Sequence, residues 1–565
     1  MKKLFVAVSV SFALTACSQM AGDDAGSTAD TSQKFDVVIN NGRVMDPETN
    51  FDGVRNVGIK YGRIVAITED SISGAETIDA TGHVVAAGFI DYEQHGLGPW
   101  GIKVNLRDGV TTQMDFEVGA ASIPQWYAKR EGTTQANFGT VAGQEYARMK
   151  VHDPEMDLTG PDISMPYTLS DHRGASGKDG HEGWANDKSN LAQMNEVHKI
   201  LDEELRQGAL GVGSLLGYAG KAIKSYEMYT TQKLAGAYGR VTAVHHRFHP
   251  SATPPTEQPI GVKEILANAM SLNAPLQIHH DNDYGWWENQ KMLSDARKQG
   301  FNVWATYYPW IAGAGNYGAA IVNPPIWQDL MGYKYEETIY DPQLDKFVTK
   351  EEFLKFSKEE PGRTLVAYSP PRKQWLPEWT KVEGFIVAGD GMPGLGSDGK
   401  LLAWDADFKD YAGHPRTAGT HAVVLRVARE NGVPLMHTLS QLSYWPAKFI
   451  GDTGLKAMQE RGRMQEGMVA DIVVFNAENV TEHADFKAGT NGLASTGIPY
   501  VLVNGTTVVK DSKVLKVYPG QAMRFPVEEK GRFETMSPES WMKANLVETS
   551  KPTLYKAKEN PENIM

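Results

Sequence analysis

The sequence predicts an α/β fold in which parallel strands close into a barrel. Apolar strands alternate with helical stretches between residues 86 and 461, and this alternation favours a parallel sheet, which at this length is expected to close. An open, doubly wound sheet is the alternative, but no glycine-rich dinucleotide fingerprint supports it. The predicted strands include Ala209–Gly213, Val241–His245, Leu276–His280, Val303–Tyr307 and Phe385–Gly389, and the predicted helices include 190–207 and 262–271.

Blocks of short strands flank this region on both sides. Phe35–Ile39, Val57–Ile59 and Ile64–Ile67 precede it, and Ala470–Phe475 and Tyr500–Val509 follow it. A chain of 565 residues exceeds the size of one growing core, so a large and a smaller domain are expected. The predicted division is 1–17 signal peptide, 18–34 flexible tether, 35–85 with 462–525 as the smaller domain, 86–461 barrel and 526–565 as a C-terminal extension of unknown role.

Composition narrows the class of protein. Charged residues make up 22% and apolar residues 41% of the chain, which is typical of a globular protein. The formal net charge is −13, and no clustered basic surface is evident. Because binding to phosphates requires such a surface, the sequence argues against a nucleic-acid partner.

The N-terminus has the pattern of a lipoprotein signal. Lys2 and Lys3 precede the apolar stretch 4–13, which is too short to span a bilayer, and Leu14-Thr15-Ala16-Cys17 has the form of a cleavage site. An ordinary secretory signal is the alternative. The pattern predicts lipidation of Cys17 and a membrane contact through this lipid. With Ser18 after the cysteine, we expect an outer-membrane lipoprotein that faces the periplasm of a Gram-negative cell envelope.

Several predicted strands end in a residue that is able to bind a metal ion. The carboxyl ends of barrel strands face one mouth, so residues distant in sequence can converge there. Histidine and carboxylate ligands are typical of a hydrolytic zinc site, and the single cysteine, Cys17, leaves no thiolate for it. A structural role is also able to explain each of these residues taken singly. As a set at the same ends of the strands, they predict a metal centre. The candidates are Glu93, His95, Glu117, His245, His280 and Asp390.

The order of short motifs resembles the amidohydrolase superfamily, and more narrowly the N-acyl-D-amino-acid deacylases, especially the N-acyl-D-glutamate deacylases. The resemblance covers roughly residues 35 to 515. Its motifs include Gly88-Phe-Ile-Asp91, Asp108-Gly-Val-Thr-Thr112, Phe116-Glu117-Val-Gly119, Gly462-Arg-Met-Gln-Glu-Gly467 with Asp471, and the segments around His245, His280, Asp390 and His414.

This resemblance implies a distorted (β/α)8 TIM-like barrel beside a small β-sandwich built from both chain ends, with one or two zinc ions at the mouth. His245 and His280 match the histidines that hold the tightly bound zinc. Glu117 lies where related enzymes place a bridging cysteine, and a carboxylate can also bridge. His95 matches the second histidine of the family's His-x-His motif, and Asp390 matches the aspartate after the last strand.

One position departs from the family pattern. The first histidine of His-x-His is replaced by Glu93. A carboxylate there can bind a second ion, or it can point away and leave that site without a ligand. The sequence therefore predicts one tightly bound zinc ion and leaves the second open.

The expected reaction is hydrolysis of an amide in a small-molecule substrate. Asp390 is the predicted general base and acid, and the fork of Arg416 suits the α-carboxylate of a substrate. Tyr308 is a candidate donor to the developing oxyanion, and His414 and Arg247 are candidate substrate-binding residues. The aromatic segment 281–352 is interpreted either as a lid over the mouth or as ordinary core.

Three functions remain open from the sequence. The first is an envelope deacylase of N-acyl-D-amino acids. The second is a hydrolase of another amide or of a lactone, such as a dipeptide or a cyclic amide. The third is a degenerate barrel that binds a ligand without catalysis, an alternative that depends on Glu93.

Overall fold

The computed structural model describes residues 35–156, 158, 169–176, 181–248, 257–319, 322–329 and 332–546. The predicted signal peptide, the tether and Cys17 lie outside these residues. No helix within the described part of the chain is long and apolar enough to cross a membrane.

The strands fall into three sheets. In chain order they are β1 Phe35–Asp46, β2 Phe51–Lys60, β3 Arg63–Thr68, β4 Gly74–Asp79, β5 Val84–Ala87, β6 Phe89–Asp91, β7 Val110–Ala120, β8 Asn137–Gly143, β9 Gly211–Ser214, β10 Val241–Val244, β11 Leu276–Ile278, β12 Val303–Tyr307, β13 Ala312–Asn316, β14 Ile339–Asp341, β15 Lys346–Phe347, β16 Thr364–Tyr368, β17 Phe385–Val387, β18 Ile472–Phe475, β19 Tyr500–Val503, β20 Thr506–Lys510 and β21 Lys513–Val514.

Helices cover the barrel and connect its strands. They are α1 Pro99–Arg107, α2 Ile123–Ala128, α3 Gln144–His152, α4 Leu169–Ser176, α5 Gly183–Asn186, α6 Leu191–Arg206, α7 Ser225–Ala237, α8 Glu257–Leu272, α9 Trp286–Lys298, α10 Pro324–Trp327, α11 Tyr335–Thr338, α12 Lys350–Glu359, α13 Arg372–Trp379, α14 Arg416–Glu430, α15 Leu435–Leu439, α16 Trp445–Gly451, α17 Lys456–Gln459 and α18 Pro538–Asn545.

Eight parallel strands form the barrel. Their order is β6-β7-β8-β9-β10-β11-β12-β17, so neighbours in space follow one another along the chain except for one insertion before β17. The edges β6 and β17 are joined just beyond their ends, where Gly391 N donates to Glu93 O at 2.9 Å and His95 N donates to Gly391 O at 2.8 Å. The predicted barrel is confirmed.

Local sequence explains these elements. The barrel strands β8 to β12 are buried at every residue, as expected of parallel strands that are covered on both faces. Helix α6 begins after Asn190, whose side chain accepts from Gln193 N while the side chain of Gln193 bonds back to Asn190 N. This capping box fixes the helix start that the sequence predicts.

The second sheet is a separate domain that both chain ends build. Its nine strands are β1 to β5 and β18 to β21, and the two halves meet where β18 pairs antiparallel with β5. Its core includes Ile39, Ile59, Ile472 and Leu502. The strands agree with the predicted origin from both ends, while the residue boundaries given from the sequence remain a prediction.

A polar cluster joins this domain to the amino ends of the barrel strands. Asp471 Oδ2 accepts from Arg461 Nε at 2.7 Å and from Asn137 Nδ2 at 2.8 Å. Asp471 Oδ1 accepts from Asn504 N at 2.6 Å, and Arg461 Nη2 donates to Asn504 Oδ1 at 2.7 Å. We call Asn137, Arg461, Asp471 and Asn504 the junction cluster.

An insertion between β12 and β17 forms the third sheet, in the order β13-β16-β14-β15. It has an apolar core of its own that includes Tyr317, Trp327, Tyr335 and Phe353. The aromatic segment predicted as a lid or as core is thus partly a separate small layer, and its role as a lid stays a prediction.

The first part of the C-terminal extension packs against the barrel helices. Glu528 Oε1 lies 3.0 Å from Arg240 Nη2, and the ring of Phe533 stacks on that of His198 with the centroids 5.7 Å apart. The extension therefore covers α6 and the end of α7, whereas Trp541 in α18 is 62% exposed.

Candidate metal centre

Five of the six predicted metal ligands converge at the carboxyl ends of the barrel strands. We call this set the mouth cluster: His95 after β6, Glu117 in β7, His245 after β10, His280 after β11 and Asp390 after β17. All five side chains are buried, with residue exposures of 4% to 8%. Burial of this many ionisable groups is unfavourable unless they are paired or hold an ion.

Glu117 lies at the centre of the cluster. Its Oε2 is 3.4 Å from His95 Nε2 and 3.6 Å from His280 Nε2. Asp390 Oδ1 is 3.3 Å from His95 Nε2, and Asp390 Oδ2 is 3.8 Å from His280 Nε2. Three groups of possible ligand atoms share Glu117, and the atoms of each group lie within 4.8 Å of one another. The mouth cluster forms two of them, Glu117 with His245 and His280 and Glu117 with His95 and Asp390, and the third joins Glu117 to Glu93 and His279.

The residues present fit a divalent cation. Two ligands that each lie ~2 Å from a tetrahedral zinc ion are ~3.3 Å apart, which is close to the separations between these atoms. Glu117 Oε2 is buried and makes no well-formed hydrogen bond within the described part of the chain. An acceptor that is buried without a donor is unfavourable, and a cation would satisfy it.

The charges of the cluster perturb its histidines. Burial lowers the pKa of His95, but the nearby carboxylates, Asp115 first, outweigh burial and hold this pKa well above its usual value. The pKa of His280 is likewise raised to about 9, because Glu117 and Asp390 outweigh burial. Burial opposes ionisation of Glu117, yet the His280 charge holds its pKa well below the usual value. Without a metal ion, protons on histidine balance the carboxylates.

Two of the candidate ligands have a strained backbone. His280 has a φ of +25° and Asp390 a φ of +48°, in the left-handed region that favours glycine. Such conformations cost about 1–3 kcal/mol each and persist at functional sites where neighbouring groups enforce them. Here His280 N donates to Thr306 Oγ1 at 2.8 Å, and Gly389 N donates to Asp91 Oδ2 at 2.8 Å.

Glu93, the sixth predicted ligand, lies next to the mouth cluster but not among its five members, and its role as a ligand stays a prediction. Its carboxylate is fully buried, and Oε1 is within 2.6 Å of His279 Nδ1, 2.5 Å of Thr306 Oγ1 and 3.1 Å of Gln277 Nε2. It groups with Glu117 and His279 rather than with His95 and Asp390.

Two predicted substrate-binding residues lie beside the cluster. Arg416, the first residue of α14, donates from Nη1 to Asp390 Oδ2 at 2.8 Å. The ring of Tyr308 is 5.6 Å from that of His280, and the Tyr308 hydroxyl accepts from Arg372 Nη1 at 2.7 Å. Burial raises the pKa of Tyr308, so this hydroxyl keeps its proton at neutral pH.

The other two predicted substrate-binding residues, Arg247 and His414, make hydrogen bonds to neighbouring segments of the protein. Arg247 donates to both oxygens of Glu264, at 2.8 and 3.1 Å, and to backbone carbonyls. His414 Nε2 bonds to Ala312 O at 2.9 Å, and His414 Nδ1 accepts from Arg416 N at 3.0 Å. Burial and the charge of Arg416 hold the pKa of His414 well below its usual value. These contacts hold neighbouring segments in place, and a role of Arg247 and His414 in substrate binding stays a prediction.

Sequence reasoning missed several residues that support the cluster. Asp115 Oδ2 lies 3.3 Å from His95 Nδ1, and its Oδ1 accepts from the backbone N of Glu117 at 3.1 Å. Asp115 stands in the same motif as Glu117, so its position carried a signal. Arg372 pairs with Asp283 at 2.7 Å and 2.9 Å, a contact between positions 89 apart that no local motif announces.

Comparison with known proteins gives relatives along most of the chain. No protein-family model matches it. An N-acyl-D-glutamate deacylase of Alcaligenes xylosoxydans xylosoxydans is 24% identical over 499 residues, which cover 84% of this chain and 94% of the relative. A D-aminoacylase of the same organism is 23% identical, over 87% of this chain and 98% of the relative.

The fold is also that of solved deacylase structures. The N-acyl-D-glutamate deacylase of Bordetella bronchiseptica, solved with zinc and a phosphonate that mimics the tetrahedral intermediate, superposes with a TM-score of 0.65. It is 21% identical and the match covers 87% of this chain and 100% of that one. The relatives are N-acyl-D-amino-acid deacylases, members of the amidohydrolases. The predicted resemblance and the predicted class, a hydrolase of non-peptide carbon–nitrogen bonds, are confirmed by these relatives.

Proposed function

We propose that this chain is a zinc-dependent amidohydrolase that removes the acyl group from an N-acyl-D-amino acid, with a D-glutamate-like substrate as the first candidate. The observation that carries the proposal is Glu117, whose buried carboxylate is shared by three groups of possible metal-ligand atoms. The deacylase relatives support an amide as the bond that is cleaved. Glu117, His245 and His280 would hold the tightly bound ion.

A zinc ion held by these residues would supply a Lewis acid for the scissile carbonyl and would lower the pKa of a bound water toward neutral pH. The carboxylate of Asp390, which lies in the same mouth cluster, would accept the proton of the attacking water and return it to the leaving nitrogen. Arg416 Nη1, 2.8 Å from Asp390 Oδ2, holds this carboxylate in one orientation.

Recognition of the substrate is assigned to Arg416 and Tyr308. Arg416 Nε is buried and has no hydrogen-bond partner among the described residues. A carboxylate beside the scissile amide would satisfy this donor, which favours an amino-acid product over an uncharged amine. The Tyr308 hydroxyl accepts from Arg372, so its own proton is available to the oxygen on which negative charge develops.

Metal content and substrate preference test the proposal. Wild-type protein is expected to contain at least one zinc ion per chain and to hydrolyse N-acetyl-D-amino acids faster than their L-forms. Glu117→Ala and His280→Ala are expected to lose both zinc and hydrolysis, whereas the control His181→Ala, at a side chain that is 58% exposed, is expected to keep both. Hydrolysis that survives in Glu117→Ala would contradict the mechanism. Zinc binding without hydrolysis of any amide would favour a binding lipoprotein.

We also propose that the protein is an outer-membrane lipoprotein facing the periplasm, where peptidoglycan supplies D-amino acids. The segment Leu14 to Cys17 supports this proposal. Labelling with a fatty acid is expected for wild type and absent for Cys17→Ser. Equal labelling of the two proteins would show that the cysteine is not the anchor.

A further inference from the structure

The carboxylate of Glu93 has three donors on one oxygen. Oε1 accepts from Thr306 Oγ1 at 2.5 Å, from His279 Nδ1 at 2.6 Å and from Gln277 Nε2 at 3.1 Å. All three donors belong to β11, β12 or the residue just after β11. Glu93 therefore connects the end of the first barrel strand to two strands that do not pair with β6.

One of these bonds continues to a candidate metal ligand. The Thr306 hydroxyl donates to Glu93 and accepts from His280 N at 2.8 Å. His280 has a left-handed φ of +25°, so this bond is made by the amide of a residue with a strained backbone. The chain Glu93, Thr306, His280 N thus fixes the backbone from which the His280 ring reaches the cluster.

The backbone of Glu93 holds the second strained ligand. Glu93 O accepts from Gly391 N at 2.9 Å, immediately after Asp390 with its φ of +48°. One residue therefore fastens the segments that carry His280 and Asp390, the former through its side chain and the latter through its carbonyl.

We propose that Glu93 is a positioning residue for His280 and Asp390, and that it does not bind the metal ion. The inference rests on the proposed metal centre. This role explains why Glu93 stands at the position where the family has a histidine: its side chain holds the neighbouring candidate ligand His280 in place. The competing role is a ligand role through Glu93 Oε2, which is buried and has no hydrogen-bond partner among the described residues.

Zinc binding, measured by competition with a chelator, separates these roles. Thr306→Val removes the hydroxyl but leaves Glu93 intact, and Thr306→Ser restores the hydroxyl. Thr242→Val is the matched control, because Thr242 lies fully buried in the barrel strand β10 and its hydroxyl has no hydrogen-bond partner in the described part of the chain. Residues that orient metal ligands typically change affinity by about 10- to 100-fold. We expect Thr306→Val to raise the zinc Kd by that factor, and Thr306→Ser and Thr242→Val to raise it less than about threefold.

Glu93→Gln provides the second measurement. We expect the same number of zinc ions per chain as in wild type, a Kd raised by about 10-fold, and little further change when Thr306→Val is added, because both changes break one chain of bonds. The visible spectrum of the cobalt-substituted protein is expected to shift alike in both variants.

A loss of one ion per chain in Glu93→Gln, with the affinity of the remaining ion unchanged, would show that Glu93 is a ligand and overturn the inference. An effect of Thr306→Val no larger than that of Thr242→Val would also overturn it. Wild-type protein that binds no zinc would instead refute the proposed metal centre, an outcome that these variants do not imitate.

Discussion

The mouth cluster and the junction cluster are both buried sets of charged and polar side chains, at opposite ends of the barrel strands. They differ in how completely their atoms are satisfied. Both oxygens of Asp471 accept hydrogen bonds in the junction cluster, and Arg461 lies 2.7 Å away as the opposite charge. In the mouth cluster, the nitrogens of His95 and His280 lie 3.4 and 3.6 Å from Glu117 Oε2, which has no well-formed hydrogen bond among the described residues.

This difference in hydrogen bonding distinguishes a cluster that stabilises the fold from a cluster that is able to bind a ligand. A fully satisfied polar network stabilises one arrangement of the two domains, and it has no capacity left for a ligand. A network with an unsatisfied acceptor and two strained backbones is unfavourable by itself and becomes favourable when a cation is added. The contacts at the amino ends of the barrel strands therefore join the two domains, and the carboxyl ends hold the proposed metal centre.

The largest expected effect is on stability, at the junction cluster. Asp471→Asn leaves the buried Arg461 without its counter-charge, and breaking a buried pair in this way costs about 3–5 kcal/mol. The free energy of unfolding in urea is expected to fall by this amount, with zinc affinity unchanged. Asp452→Asn is the control, because its pair with Lys448 is exposed and contributes less than about 1 kcal/mol. Equal losses for the two variants would mean that the junction does not hold the domains.

The next effect is on activity, at the mouth cluster. Glu117→Gln keeps the shape of the side chain but removes the charge that both ligand groups share. Its kcat/KM is expected to fall by more than about 100-fold, since even residues one step removed from a metal typically cost about 10- to 100-fold. Stability of the metal-free protein is expected to change less than in Asp471→Asn. If Glu117→Gln lowered the free energy of unfolding by more than it raised the activation free energy for kcat/KM, the two clusters would not differ in role.

Arg416→Lys tests recognition of the substrate. Lysine keeps the positive charge beside Asp390 but lacks the planar fork that matches a carboxylate. A hydrogen bond to a charged group contributes about 1.5–3 kcal/mol, so KM is expected to rise by about 10- to 100-fold, with a smaller change in kcat. A reduced kcat at constant KM would assign Arg416 to Asp390 alone.

Much of the fold could be predicted from the sequence because its signals are local. The alternation of strand and helix identified the barrel, and Asn190 with Gln193 marks the start of α6. Strand ends are also local signals, and barrel geometry then brings them together. For this reason five of the six predicted ligands converge without any long-range information.

The remaining assignments depend on partners that are distant along the chain. Arg247 and Arg416 look alike in the sequence, but Arg247 is engaged by Glu264 and Arg416 by Asp390. The sequence left open whether Glu93 binds a second ion or points away, and its carboxylate is located by contacts with Thr306 and His279, which are distant along the chain. Side-chain contacts of this kind have no period or spacing that a single sequence displays.

The smallest expected effect is the response of the mouth cluster to pH. Because the pKa of His280 is raised to about 9 in the metal-free protein, its proton must leave before zinc binds. Apparent zinc affinity, measured against a chelator, is expected to rise about tenfold per pH unit as pH increases toward 9.

Stability of the metal-free protein should show the opposite trend: the protonated His280 stabilises the fold below its ordinary pKa of 6.5, and this contribution is lost as pH rises through about 9. The junction cluster contains no histidine, so Asp471→Asn should shift the stability curve without changing the pH dependence of zinc affinity. An affinity that does not change with pH would mean that the histidines of the mouth cluster are not ligands.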